Sequence, residues 1–202
     1  MVSSAEARGF TPDGVETKQP TSQGLTHEDL VNLVGPDYQQ LIFKPLKYLK
    51  IVQDISELDF KSPTGRHERP NGQKSHGHYI VEQKIGNHRV YAYILKPEPN
   101  ENGEPVGKTS EHKHEDYEIE VLEHYFLLKG AMKLILDEED TGKNHSIELD
   151  SEKNSHFLVK PRTYHHAEIT DNVALVLVIM PDAAQIPDDR LHIPREELHS
   201  SS

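Results

Sequence analysis

From Tyr79 onward the chain runs in short segments that alternate apolar and polar residues, and turn residues separate them. HYIVEQKI and HRVYAYILK flank Gly86-Asn87, a hairpin-type turn. HYFLLKGAMKLILDEE reads as strand, glycine turn, strand, and Thr141-Gly142-Lys143-Asn144 as a further turn. HSIELD, HFLVK and ALVLVIM complete roughly seven short strands, a spacing that points to a sandwich or barrel. No long helical period interrupts them, which argues against a parallel α/β fold.

The 202 residues fit one domain with extensions. Mean hydropathy is -0.71, so part of the length must be solvated loop or tail. Residues 1–25 are rich in Ser, Thr, Gly, Pro and charge and are expected to be disordered or extended. A short helix follows, with Thr26 as N-cap, Asp29 closing a capping box and Gly35-Pro36 ending it. Residues 37–59 fit helix or strand, with Pro45 interrupting either, and 61–77 read as loop. The expected organisation is an N-terminal extension over 1–60, a barrel over 61–181 and a tail over 182–202 that wraps the barrel or hangs free.

A formal charge of -12 without a basic patch speaks against nucleic acid and anionic membrane surfaces as partners. The longest apolar run, VALVLVIM at 173–180, is far short of the about 20 residues a membrane helix needs. MVSSAEARGFTPDG has no apolar core of the signal-peptide type. The chain is therefore expected to be soluble and cytoplasmic. With no cysteine, disulfides, thiolate metal sites, iron–sulfur clusters and cysteine nucleophiles are all excluded.

Of the 14 histidines most are expected to be surface polar residues, and the chemistry rests on whether a few converge. Imidazole is the commonest metal ligand and titrates near neutral pH. In EHKHEDYEIEVLEHYFLLKG at 111–130, His112 and His114 are two apart, so a strand would put both rings on one face. Glu123 opens the next strand, with Tyr125 and Leu127 on its face, and Gly130 supplies a turn. FLVKPRTYHHAEI at 157–169 adds His165 or His166, of which only one can face a common site because neighbours on a strand point opposite ways. Three imidazoles and a carboxylate suit Fe, Mn, Ni, Co or Zn as a divalent ion. His76 and His78 read as surface or pocket-rim residues, and His88 and His124 as structural. Tyr91, Tyr93 and Tyr125 read as core or pocket wall more readily than as catalytic acids.

Gly107, His112, His114, Glu123 and Gly130 resemble the first motif of the cupin superfamily, and HYFLLKG resembles its run before the glycine. Glu123 and Gly130 keep the family spacing of six intervening residues. Four residues rather than five separate Gly107 from His112, and eight rather than three or four separate His114 from Glu123. Glu118 fits the short spacing but leaves no glycine six residues on. Pro161 and a following histidine resemble the second motif, with Thr163 in place of its glycine and no Asn. Strict spacing selects His166, whereas the turn-then-aromatic pattern ending in Tyr164 favours His165. The likeness covers about residues 79–181.

The resemblance implies an all-β double-stranded β-helix, the jelly-roll barrel of cupins, with a short helical N-terminal extension. It implies one divalent metal held by His112, His114, Glu123 and His165, with His166 the alternative to His165. It further implies a small-molecule substrate and a homodimer, since cupins commonly pair through barrel edges. Glu123 and Tyr125 are the candidate catalytic residues. A metal-dependent enzyme acting on a small oxygen-rich metabolite follows, dioxygenase-like by preference. A cupin-type sugar or sugar-phosphate isomerase is the alternative, on the PDA stretch at Pro181–Ala183. A non-catalytic module that binds a small ligand is the other.

Overall fold

The computed structural model of the chain describes residues 25–61, 77–99, 102–103, 105–114, 121–169, 172–182 and 193–194. The expectations for residues 1–24, for 62–76 with His76, and for Glu118 and Ala183 lie outside these.

The first described element, α1 (His27–Val34), starts where the sequence places it. The Asp29 N–H donates to Thr26 Oγ1 at 3.1 Å, and the Asp29 carboxylate accepts from the Thr26 N–H at 2.7 Å. This reciprocal cap satisfies donors the helix leaves open. At its other end the Lys129 ammonium donates to the Val34 carbonyl at 2.8 Å, tying the helix to the sheet below it. Residues 37–59 resolve in favour of helix: α2 (Tyr38–Tyr48) runs through Pro45, and a single 3-10 turn follows at Ile55–Glu57. Proline removes one helical hydrogen bond. Burial of Tyr38, Ile42 and Leu46, spaced four apart on one stripe, holds the helix despite that loss.

The described strands are β1 (Gly77–Ile85), β2 (His88–Leu95), β3 (Glu98–Pro99), β4 (Pro105–Lys108), β5 (His112–Lys113), β6 (Glu123–Lys129), β7 (Ala131–Glu138), β8 (Lys143–Asp150), β9 (His156–Val159), β10 (Thr163–Ile169), β11 (Ala174–Pro181) and β12 (Ile193–Pro194). One sheet has the order β1-β2-β11-β6-β9. In the other, β10 pairs on one side with β7, which carries β8, and on the other with β5 and β4. β12 lies beyond β5, and β3 beyond β4. Every pairing is antiparallel. From β6 onward the chain passes from the first sheet to the second (β7, β8), back (β9), across (β10) and back again (β11). That alternation winds a two-sheet barrel of the jelly-roll, double-stranded β-helix type.

Two apolar layers result. Inside the barrel, Tyr93, Tyr125, Leu127, Leu134, Val176 and Val178 pack together. Outside the first sheet, Leu30, Ile42 and Leu46 of the helices pack on Ile80, Leu175 and Leu177. β11 sits between the layers and is buried from Ala174 to Met180. The apolar run at 173–180 is therefore a strand covered on both faces. Period-two alternation sends Leu175, Leu177 and Ile179 to the helices and Val176 and Val178 to the barrel. Among the described residues no helix is long and apolar enough to cross a membrane.

Two glycines are required by space. Gly130, at φ 89°, makes the β6–β7 turn, and a Cβ there would lie 2.5 Å from the Val173 carbonyl oxygen. Gly107 in β4 lies against β10, where a Cβ would meet Ile169 Cγ1 at 2.6 Å.

Candidate metal centre

His112, His114, Glu123 and His165 meet at one end of the barrel, with their ligand atoms all within 4.8 Å of one another. They arrive on three strands from both sheets. His112 begins β5, and His114 follows just past its end, where its carbonyl accepts the Arg162 N–H at 2.6 Å. β5 is only two residues long, shorter than the strand the H-x-H spacing suggests. His165 on β10 pairs directly with His112. Glu123 is the first residue of β6 in the facing sheet. All four are buried, His165 completely.

The hydrogen bonds around the rings fix which nitrogens face inward. His112 Nδ1 lies 2.9 Å from the Ser110 carbonyl, and His165 Nδ1 lies 2.9 Å from the Thr163 carbonyl. A carbonyl only accepts, so each Nδ1 carries a proton and Nε2 is the nitrogen left to face the site. This orientation suits an imidazole that binds a metal through Nε2. The ring centroids of His112 and His165 are 4.3 Å apart, and those of His114 and His165 are 5.4 Å apart.

Glu123 Oε2 lies 2.9 Å from His114 Nε2 and 2.6 Å from His165 Nε2. The second contact lacks hydrogen-bond alignment, so the fully buried His165 Nε2 faces the carboxylate without a donor–acceptor partner. Such an atom costs free energy unless something else satisfies it. A cation between the ring and the carboxylate would do so, and the all-nitrogen and oxygen donor set fits a divalent transition metal. Burial opposes ionisation of Glu123, but the neighbouring His165 and His114 outweigh it and hold its pKa well below the usual carboxylate range.

The other predicted residues fall as follows. His166 turns to the outer face, 2.9 Å from Glu168 Oε1, and is not in the cluster. Between the two ligand-type histidines, Lys113 points away and pairs with Glu139 at 2.6 Å. Tyr125 packs edge-on to His165 at 5.8 Å between centroids. Tyr91 and Tyr93 line the barrel with Tyr79, whose ring is 5.3 Å from that of Tyr93. Burial raises the pKa of both Tyr91 and Tyr93, so each keeps its phenol proton at neutral pH. The surface reading of His78 is corrected: it is buried, with Nε2 3.5 Å from Glu98 Oε1. Outside the first sheet, His124 Nδ1 and His156 Nε2 lie 3.1 Å apart beside the stacked Phe126 ring. The role of Tyr79 went unread in the sequence, although its place in the β1 alternation marks it for an inner wall.

No protein-family model matches the chain, and no curated protein matches it in sequence. Among solved structures, the capsular polysaccharide assembling protein CapF from Staphylococcus aureus aligns with a TM-score of 0.47 and 14% identity, over 68% of this chain and 36% of that one. A single-site variant of oxalate decarboxylase from Bacillus subtilis aligns at 0.44 and 14% identity, over 64% of this chain and 30% of that one. The cupin domain of CENP-C from Drosophila melanogaster aligns at 0.42 and 14% identity, over 63% and 77%. The chain thus spans about a third of the length of CapF and of the decarboxylase. Strand order and sheet alternation, read from the chain itself, make it an all-β jelly-roll barrel, and solved structures that resemble it include a cupin domain.

Proposed function

We propose that this chain is a metal-dependent enzyme acting on a small oxygen-rich metabolite, with oxygen-dependent, dioxygenase-like chemistry as the favoured reaction. The observation that carries the reading is the matched pair of His112 and His165, whose Nδ1–H groups are spent on carbonyls, leaving both Nε2 atoms buried in the cluster that also holds His114 and Glu123. A structural need for buried histidines would not require both rings to leave the same nitrogen buried in one cluster with a carboxylate.

His112, His114, Glu123 and His165 would hold the ion. Four protein donors leave coordination positions for water or substrate. A divalent ion there supplies Lewis-acid polarisation of a substrate oxygen and, if it is iron, a route to O2. The chain's own residues do the rest. Glu123, held ionised, lowers the charge of the centre. The two carbonyl-anchored rings keep their orientation when the ligand changes. Tyr125 is the candidate proton donor, set by its packing on His165. The tyrosines and aliphatic side chains of the inner wall keep bulk water out.

The test is metal analysis of untagged protein, followed by oxygen-electrode assays of the Fe(II)-loaded form against diketones, phenols and sugars. Near one equivalent of metal and substrate-dependent oxygen uptake are expected. Turnover without oxygen uptake would replace the dioxygenase reading with an isomerase-like one. Stoichiometric binding with nothing consumed would leave a ligand-binding module.

A further inference from the structure

β6 alternates, so Tyr125 and Leu127 face the barrel with Glu123, while His124, Phe126 and Leu128 face outward. β9 pairs with it, His124 opposite Leu158 and Phe126 opposite His156. Residues directly opposite share a face, so His156 and Leu158 also face outward. The outer face of this two-strand ribbon is therefore apolar except for two imidazoles set on a diagonal. β9 is only four residues long, and among the described residues it pairs with β6 alone.

The two rings meet. His124 Nδ1 and His156 Nε2 lie 3.1 Å apart, and their planes differ by 13°. The His156 ring stacks on Phe126 at 4.4 Å between centroids, which sets its position. As neutral imidazoles the pair shares one N–H, with a lone pair on the facing nitrogen. The same two nitrogens can serve one metal ion. With bonds of about 2.0–2.1 Å, two imidazole nitrogens on a tetrahedral ion stand about 3.3 Å apart, close to the separation already present. What must change is direction, because the lone pairs have to converge on a point beside the pair. His156 is exposed, and a turn of its ring supplies that change. The shared proton passes through water to the other nitrogen of its own ring, so both rings stay neutral and each gives a lone pair. His88 stands on the same face, two strands from His124, and the direct ring contacts leave it out.

We propose that His124 and His156 form a second metal site, on the outer face of the first sheet, which takes a late divalent transition-metal ion such as Zn(II) and staples β9 to β6. An all-imidazole donor set selects Zn(II), Cu(II) or Ni(II) over the oxygen-seeking Mg(II) and Ca(II). Phe126 and Leu158 give the donors an apolar surround, and a chain of formal charge -12 concentrates cations at its surface. Two protein donors hold an ion more weakly than four, so this site fills with added metal after the barrel end has taken its own. The site is independent of the enzyme reading, since it shares no ligand with His112, His114, Glu123 and His165.

The test is equilibrium dialysis of the untagged full-length protein against Zn(II), reading the zinc bound above that carried by the purified protein. One further equivalent is expected in the parent, and also in His112→Ala and His165→Ala, which lack the barrel-end site. His124→Ala and His156→Gln should each weaken the further equivalent by about tenfold or more, since losing a ligand costs no less than losing a ligand's hydrogen-bond partner. His156→Gln keeps a polar side chain at an exposed position, so its fold is not at risk. His88→Ala and His145→Ala remove imidazoles elsewhere and should keep the further equivalent. Added Zn(II) should raise Tm in His112→Ala and leave it unchanged when His156→Gln is combined with that variant. No further equivalent in the parent, full retention in both His124→Ala and His156→Gln, or an equal loss in His88→Ala overturns the proposal. A barrel end that never takes up metal, with the further equivalent intact, sinks the enzyme reading and leaves this one standing.

Discussion

His165 lies directly across the strand pair from His112, and each ring bonds the carbonyl two residues before it, Ser110 and Thr163, at 2.9 Å. The two imidazoles are held by the same local device on neighbouring strands. That shared geometry sets both rings in the same orientation toward the site.

Removing either ring should therefore abolish metal uptake, while removing the neighbouring outward ring should not. Elemental analysis is expected to give near one equivalent for the parent and for His166→Ala, and little for His112→Ala and His165→Ala. Equal loss in His166→Ala would contradict the placement. Metal that binds only the folded state adds to stability, so chelation should lower Tm in the parent and leave it unchanged in the two ligand variants.

The helical layer should behave as part of the fold. Ile42 is fully buried between α2 and the first sheet. Ile42→Ala should cost about 2–4 kcal/mol in denaturant unfolding, the range for a large core deletion. A cost below about 0.5 kcal/mol would mean that the helices are not packed as described.

Gly107 offers a second stability test. A Cβ there would collide with Ile169 Cγ1 at 2.6 Å and the Lys96 carbonyl oxygen at 2.9 Å. Gly107→Ala should destabilise by about 1–3 kcal/mol, as overpacking does. Trimming Ile169 to Val in the same chain should recover only part of that, because the carbonyl remains.

Asp182 sets an acid limb of stability. Burial works against its ionisation, but its bonds to Lys84 and Arg89 outweigh burial and lower its pKa below the ordinary value of 3.8. A carboxyl depressed in the folded state contributes fully above its unfolded pKa, and that contribution is lost as pH falls through the lower folded value. Asp182→Asn should cost about 1 kcal/mol near pH 7. The variant should lose less than the parent between pH 5 and pH 2, read as Tm against pH. Parallel acid limbs would show that the pair does not form.

Much of this was legible because strands announce themselves by alternation. The Gly86-Asn87 turn, the Glu123–Tyr125–Leu127 face and the capping box at Thr26 are local patterns, and each is found where the residues put it. Pro45 misled because helix propensity counts a lost hydrogen bond but not the burial of Ile42 and Leu46 that offsets it. The choice between His165 and His166 stayed open because parity shows that one ring faces in without saying which. The register of β10 against β5 and β7 decides it.

Residues 193–194 complete the far side of β5, pairing Pro194 with His112 and Ile193 with Lys113. During synthesis, every proposed ligand leaves the ribosome well before this neighbour does. A nascent chain that has reached residue 182 holds all four donors, yet its two-residue β5 is bordered on one side only. Capture of the ion should thus be among the last events of maturation, and it should be slow in any form of the protein cut short before Ile193.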